Sequence, residues 1–172
     1  MSAAPPPPSI SVGVVVERSK SASQWADFYW CPVGVLDGAP ETAPWTKLSD
    51  DRERATFYAG AAEVELHRTE TANYRDNLQL ETPLLWIILR PVEANPPYEL
   101  AAVTADPAEG EAMTEAGGNL VEAVAMPKPM QQTIAAFVAE HHVEQVFVKR
   151  KRDRANPEAL AHHGPPQRGN RK

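Results

Sequence analysis

LLWIILR, Leu84 to Arg90, decides how this chain is read, because it is apolar almost throughout and has the length of one strand. A half-buried strand alternates apolar and polar residues, so a run without alternation predicts a strand covered on both faces. Pro91 ends it, and Pro83 closes the segment before it. Proline has no N–H to give a sheet ladder.

Working back, VELHR places Val64 and Leu66 on one face of a strand and Glu63, Glu65 and His67 on the other. Together with ATFYAGAA it predicts a hairpin over Ala55 to Arg68, its turn near Ala59-Gly60. Further back, ISVGVVVER (Ile10 to Arg18) and PVGVL (Pro32 to Leu36) read as strands, and Ala43 to Leu48 as an irregular segment seating Trp45. Thr69 to Leu80 has the spacing of a short amphipathic helix, with Thr69 as its cap. Working forward, ELAAVTA and NLVEAVA read as strands. Between them lies a helix capped by Asp106, started by Pro107 and closed at Gly117-Gly118. From Pro129 to His142, Met130, Ile134, Phe137 and Val138 form one stripe of a core-packing helix. The expected class is α+β, a single domain with a mainly antiparallel sheet and two or three helices packed on it. Its expected limits are residues 10–148, between a disordered Pro/Ala leader (1–9) and a basic flexible tail (149–172).

The charge is uneven. Of 172 residues, 17 are Lys or Arg and 23 Asp or Glu, for a net −6. From Lys149 onward eight cations face two anions, so this end carries +6 and the preceding 148 residues, by difference, −12. Such asymmetry points to an interaction segment, with Lys149, Arg150, Lys151 and Arg152 as its candidate binding residues. The acidic body repels a polyanion and the basic end has no interleaved aromatics, which argues against nucleic acid. No apolar run approaches the ~20 residues of a membrane span. The first nine residues lack the pattern of a secretory signal. A lone cysteine, Cys31, suits a reducing cytoplasm, the expected location.

Chemistry-bearing residues concentrate in HRTETANYRDN. His67, Arg68, Glu70, Tyr74, Arg75 and Asn77 form a candidate polar surface, either a ligand site for a carboxylate or phosphate or a hydrogen-bonded corner pinning helix to sheet. In the Glu63-Glu65-His67 row, alternate side chains stand roughly 6.5–7 Å apart, so one metal ion reaches two neighbours and not three. His141-His142 and His162-His163 lack the i, i+4 chelating spacing. No catalytic residue, metal site or cofactor is assigned. Trp25, Phe28, Tyr29, Trp30 and Trp45 read either as anchors of a binding groove or as the lid of a small core.

Read as a series, VGVVVER, WCPVGVLDGAP, VELHRTETANYRDNL, LWIILRP, VEAVAMP and FVAEHHVEQVFVKRKR resemble a proteobacterial domain-of-unknown-function family. The likeness spans residues 12–152. It implies genes beside molybdenum-dependent formate dehydrogenases, and hence a protein partner, a molybdoenzyme subunit or assembly factor. It implies a non-catalytic accessory or assembly protein acting by protein–protein contact. Some members carry the name molybdopterin-guanine dinucleotide biosynthesis protein A, which implies the alternative, a cofactor-maturation guanylyltransferase. Such an enzyme begins with a Gly-rich nucleotide loop, whereas SVGVVVERSKSASQW has one glycine.

Overall fold

A computed structural model describes residues 4–144. The compact unit formed by residues 1–142 is α+β, with two antiparallel sheets and three α-helices. Of residues 143–172, Val143 and Glu144 alone are described. The basic run Lys149 to Arg152, His162-His163 and residues 145–148 of the expected domain therefore lie outside the described residues.

The first sheet contains β1 (Ser9–Lys20), β2 (Phe28–Asp37), β3 (Thr46–Asp50) and β4 (Arg54–Glu65), in the order β2-β1-β4-β3. The second contains β5 (Leu84–Pro91), β6 (Tyr98–Thr104) and β7 (Leu120–Ala125), with β5 in the centre. Strand β4 runs beside β6, and β2 beside β7, so the sheets approach along two seams and enclose the core. Val12, Val14 and Val16 of β1 fill it from one side, and Leu85, Ile87 and Leu89 of β5 from the other. All six are fully buried. Ile88, on the opposite face of β5, is fully buried too. That is the two-sided burial predicted from the unbroken apolar run.

Residues 55–68 do not form a hairpin. Strand β4 continues through Ala59-Gly60 and pairs with β1 from end to end. Between Val14 and Val15 its register shifts: Val14 opposes Gly60 and Val15 opposes Tyr58, leaving Ala59 over. This is a β-bulge, and Gly60 at φ 138° supplies a backbone angle that other residues rarely adopt. The extra residue reverses the parity of the strand. Ala55, Phe57 and Ala59 face the core before it, and Ala62, Val64 and Leu66 after it. A change of phase beside a glycine resembles a turn in sequence, which is why alternation alone suggested one. Strand β6 has the same device. Ala102 opposes Ile88 and Leu100 opposes Leu89, so Ala101 is the extra residue.

Two smaller expectations also change. Ala43 to Leu48 is not irregular throughout, because Thr46 onward forms β3 against β4. The helix near Thr69 begins with a short 3-10 turn (Arg68–Glu70), then becomes α1 (Thr71–Leu78), with Glu70 rather than Thr69 at its N-cap. Helix α2 (Pro107–Glu115) starts as expected: the Asp106 carboxylate accepts from the Ala108 N–H at 2.9 Å. Gly110 lets α2 lie directly on β5, since a Cβ there would stand 2.4 Å from Trp86 Cγ. Helix α3 (Lys128–His141) buries the expected stripe of Met130, Ile134, Phe137 and Val138. Phe137 meets Tyr74 of α1 edge-on at 6.3 Å.

Candidate functional site

The polar stretch between His67 and Asn77 is divided by the structure into a buried framework and an exposed rim. Asn77, on the inner face of α1, is 2% exposed. Its amide donates to the carbonyls of Leu84 at 2.8 Å and Ala105 at 2.9 Å, and its oxygen accepts from the Leu84 N–H at 2.9 Å. One side chain thus ties α1 to the start of β5 and the end of β6. Tyr74 is buried as well, and its hydroxyl accepts from the His67 N–H at 3.0 Å. Burial pushes the Tyr74 hydroxyl above its ordinary value. Of the two readings of this stretch, Asn77 and Tyr74 fit the hydrogen-bonded corner.

Arg75 reaches the C-terminus of α3, where its Nη1 lies 3.0 Å from His142 Nε2. Guanidinium only donates, so in the neutral ring Nε2 accepts and Nδ1 carries the proton. That nitrogen then donates to Thr71 Oγ1 at 3.0 Å. His142 is therefore a bridge between α3 and α1 rather than a solvated histidine, while His141 rests on the Phe137 ring, 4.6 Å between centroids. Glu70 accepts from Thr69 and Asn73, and Asn73 also donates to Asp106 at 3.0 Å, joining α1 to the cap of α2. Arg68 and His67 stay exposed. The six residues grouped by sequence thus do not converge on one pocket.

A cavity of about 350 Å3 lies nearby, between β4 and β6. Its walls include Glu63, Glu65 and His67, the row singled out in the sequence. They also include Ala61, the β6 residues Leu100 to Thr104, and Glu109 of α2. Glu63 accepts from Ser9 at 2.7 Å and from Ser11, and these two hydroxyls hold its carboxyl below its ordinary value. Thr104 donates to Glu109 at 2.6 Å. His67 Nε2 lies 3.4 Å from Glu65. Among the described residues no three His, Cys, Asp or Glu side chains converge to hold a metal ion. The sequence carried no signal for Thr104 and Glu109, because nothing local says that β6 runs beside β4.

The aromatic residues separate into two sets. Trp30 is buried, with Trp45 edge-on at 5.9 Å and Phe57 at 5.6 Å. Trp25 is 90% exposed, Tyr29 55% and Phe28 41%. Arg18 stacks its guanidinium 4.3 Å from the Phe28 ring. Cys31, half-buried on β2, has its thiol pushed up by burial and by the carboxylates of Glu122 and Glu17, the opposite of an activated nucleophile.

This fold is a two-sheet α+β domain with an acidic cleft along one seam and exposed aromatics at the start of β2. Residues 11–151 match the family described as Protein of unknown function (DUF3305), and the chain belongs to that family. No curated protein and no solved structure matches it.

Proposed function

We propose that this chain is a non-catalytic accessory or assembly protein for a molybdenum-dependent formate dehydrogenase or a related molybdoenzyme, acting in the cytoplasm by protein–protein contact. One observation carries the contact reading: Trp25, Phe28 and Tyr29 stand exposed within five residues of one another. Exposed large aromatics are common at interaction surfaces, where Trp and Tyr serve as anchors. The polar stretch offers less, since Asn77 and Tyr74 are engaged in holding the fold. The molybdoenzyme as partner rests on the family resemblance. The guanylyltransferase alternative finds little support, because Ser9 to Lys20 is strand paired on both sides where a nucleotide loop is required.

Co-purification tests the proposal. The tagged full chain is expected to retain a formate dehydrogenase subunit. Trp25→Ala with Tyr29→Ser, or removal of residues 149–172, is expected to lose it. A strain lacking the protein is expected to lose formate dehydrogenase activity. Unchanged activity in that strain refutes the assembly role, and GTP-dependent conversion of molybdopterin by the pure protein establishes the alternative.

A further inference from the structure

Among the described residues, no strand pairs with one edge of the second half of β4. On one side β4 pairs with β1 throughout. On the other, β3 covers Ala55 to Tyr58 and then ends. Beyond it, Pro44 packs 3.8 Å from the position a Gly60 Cβ would take. From Ala61 to Glu65 no ladder forms on this side among the described residues, and none forms on the outer side of β6. The two edges converge where Leu100 approaches Gly60, 3.9 Å from the same Cβ position. The cavity of about 350 Å3 lies between them, roughly the room of ten waters.

Both strands carry their bulges here, at Ala59 on β4 and Ala101 on β6. A bulge bends its strand and increases its twist, so two of them flanking one seam keep β4 and β6 from zipping together. The cleft wall at Ala61 and Ala102 is low, and main chain can approach. The rim is acidic, with Glu63, Glu65 and Glu109. Glu63 is already fixed by two serines and held as a carboxylate, whereas Glu65 is 57% exposed and lies 3.4 Å from His67.

We propose that this cleft is a strand-docking site, in which an extended segment of a partner protein pairs with the open edge of β4 in line with β3. Its Lys or Arg side chains, at alternate positions, meet Glu65 and Glu109. Main-chain bonds of this kind supply affinity with little regard for sequence, and alternate side chains supply the choice. Charge complementarity selects the cationic partner: an acidic segment would face three carboxylates. The inference does not depend on which complex the protein serves.

The probe is a labelled hexapeptide of alternating Arg and Val, capped at both ends and titrated into the full chain by fluorescence anisotropy. Saturable binding is expected, with slowed amide exchange confined to residues 61–65 and 100–104. Methylating alternate backbone nitrogens of the peptide keeps its charge and removes its ladder donors, and is expected to weaken binding at least tenfold. Glu65→Gln with Glu109→Gln is expected to weaken it about fivefold, the scale of a pair of exposed ion pairs. A peptide of alternating Glu and Val should not bind. Equal binding of the methylated peptide means charge adsorption alone and overturns the proposal. So does protection that falls elsewhere, or the absence of saturation at millimolar peptide. The methylated peptide needs no protein variant, so a failure of the variants to fold leaves the test intact.

Discussion

Replacing Asn77 by Ala tests most directly whether the polar stretch is framework. The side chain makes three hydrogen bonds of 2.8–2.9 Å to Leu84 and Ala105 while nearly fully buried. Truncation leaves the Leu84 N–H without its acceptor, which costs about 1–3 kcal/mol for a buried donor. Each carbonyl also loses a bond worth about 1 kcal/mol. The sum is about 4 kcal/mol, a large share of the roughly 5–15 kcal/mol that holds a domain together. At about 2–4 °C per kcal/mol for a chain of this size, the midpoint should fall by about 8–16 °C. Asn77→Asp should be at least as damaging at neutral pH, because a carboxylate would face the carbonyls of Leu84 and Ala105. It should recover in part in mild acid, where the protonated carboxyl can donate again. Urea unfolding followed by tryptophan fluorescence, with the slope unchanged, gives the difference directly. A loss below about 1 kcal/mol for Asn77→Ala, or a wild-type midpoint for Asn77→Asp, would refute the corner and return the stretch to the ligand-site reading.

Gly110→Ala drives a methyl group into the Trp86 ring and should cost about 1–3 kcal/mol as an overpacked contact. Adding Trp86→Leu should cost less than the sum of the two single changes, and strict additivity in thermal melts would show that the contact is not what matters. Tyr74, raised by burial, contributes stability that is fully present below the ordinary value of 10.0 and is lost as the pH climbs through its folded value. Alkaline unfolding should therefore be shallower in Tyr74→Phe, although that variant begins lower for want of an acceptor for the His67 N–H. Glu63, lowered by its serine partners, behaves in the opposite sense. Its contribution is present above the ordinary 4.5 and is lost as the pH falls through its folded value. Ser9→Ala with Ser11→Ala should flatten that acid limb in a circular-dichroism titration, and an identical limb would remove the serines from the account.

Elements whose signal is local were legible in the sequence. Asp106-Pro107 announced the start of α2, and the Met130-Ile134-Phe137-Val138 stripe announced the buried face of α3. The apolar run Leu84 to Leu89 announced a strand closed on both faces. The bulge in β4 was not legible, because its partner residues, Val14 and Val15, lie more than forty positions away. Pairing distinguishes a bulge from a turn, and composition does not. The candidate site divides in the same way. The Glu63-Glu65-His67 row could be read from alternation, while Thr104 and Glu109 reach the same cleft through a seam that joins two separate sheets. The sequence marked His141-His142 only as a pair without chelating spacing, and the bridge from His142 to Thr71 and Arg75 depends on how α3 crosses α1.

The open edge of β4 also bears on how copies of this chain treat one another in concentrated solution. Unpaired strand edges are templates for self-association, and charged side chains along them are a common deterrent. Here Glu63 and Glu65 line that edge, so two copies approaching edge to edge would bring carboxylate against carboxylate. The serines that lower Glu63 keep its charge in place further into acid than a free glutamate would hold it. The rim that invites a cationic strand is thus also a colloidal guard, and acidification would remove the guard and the attraction together.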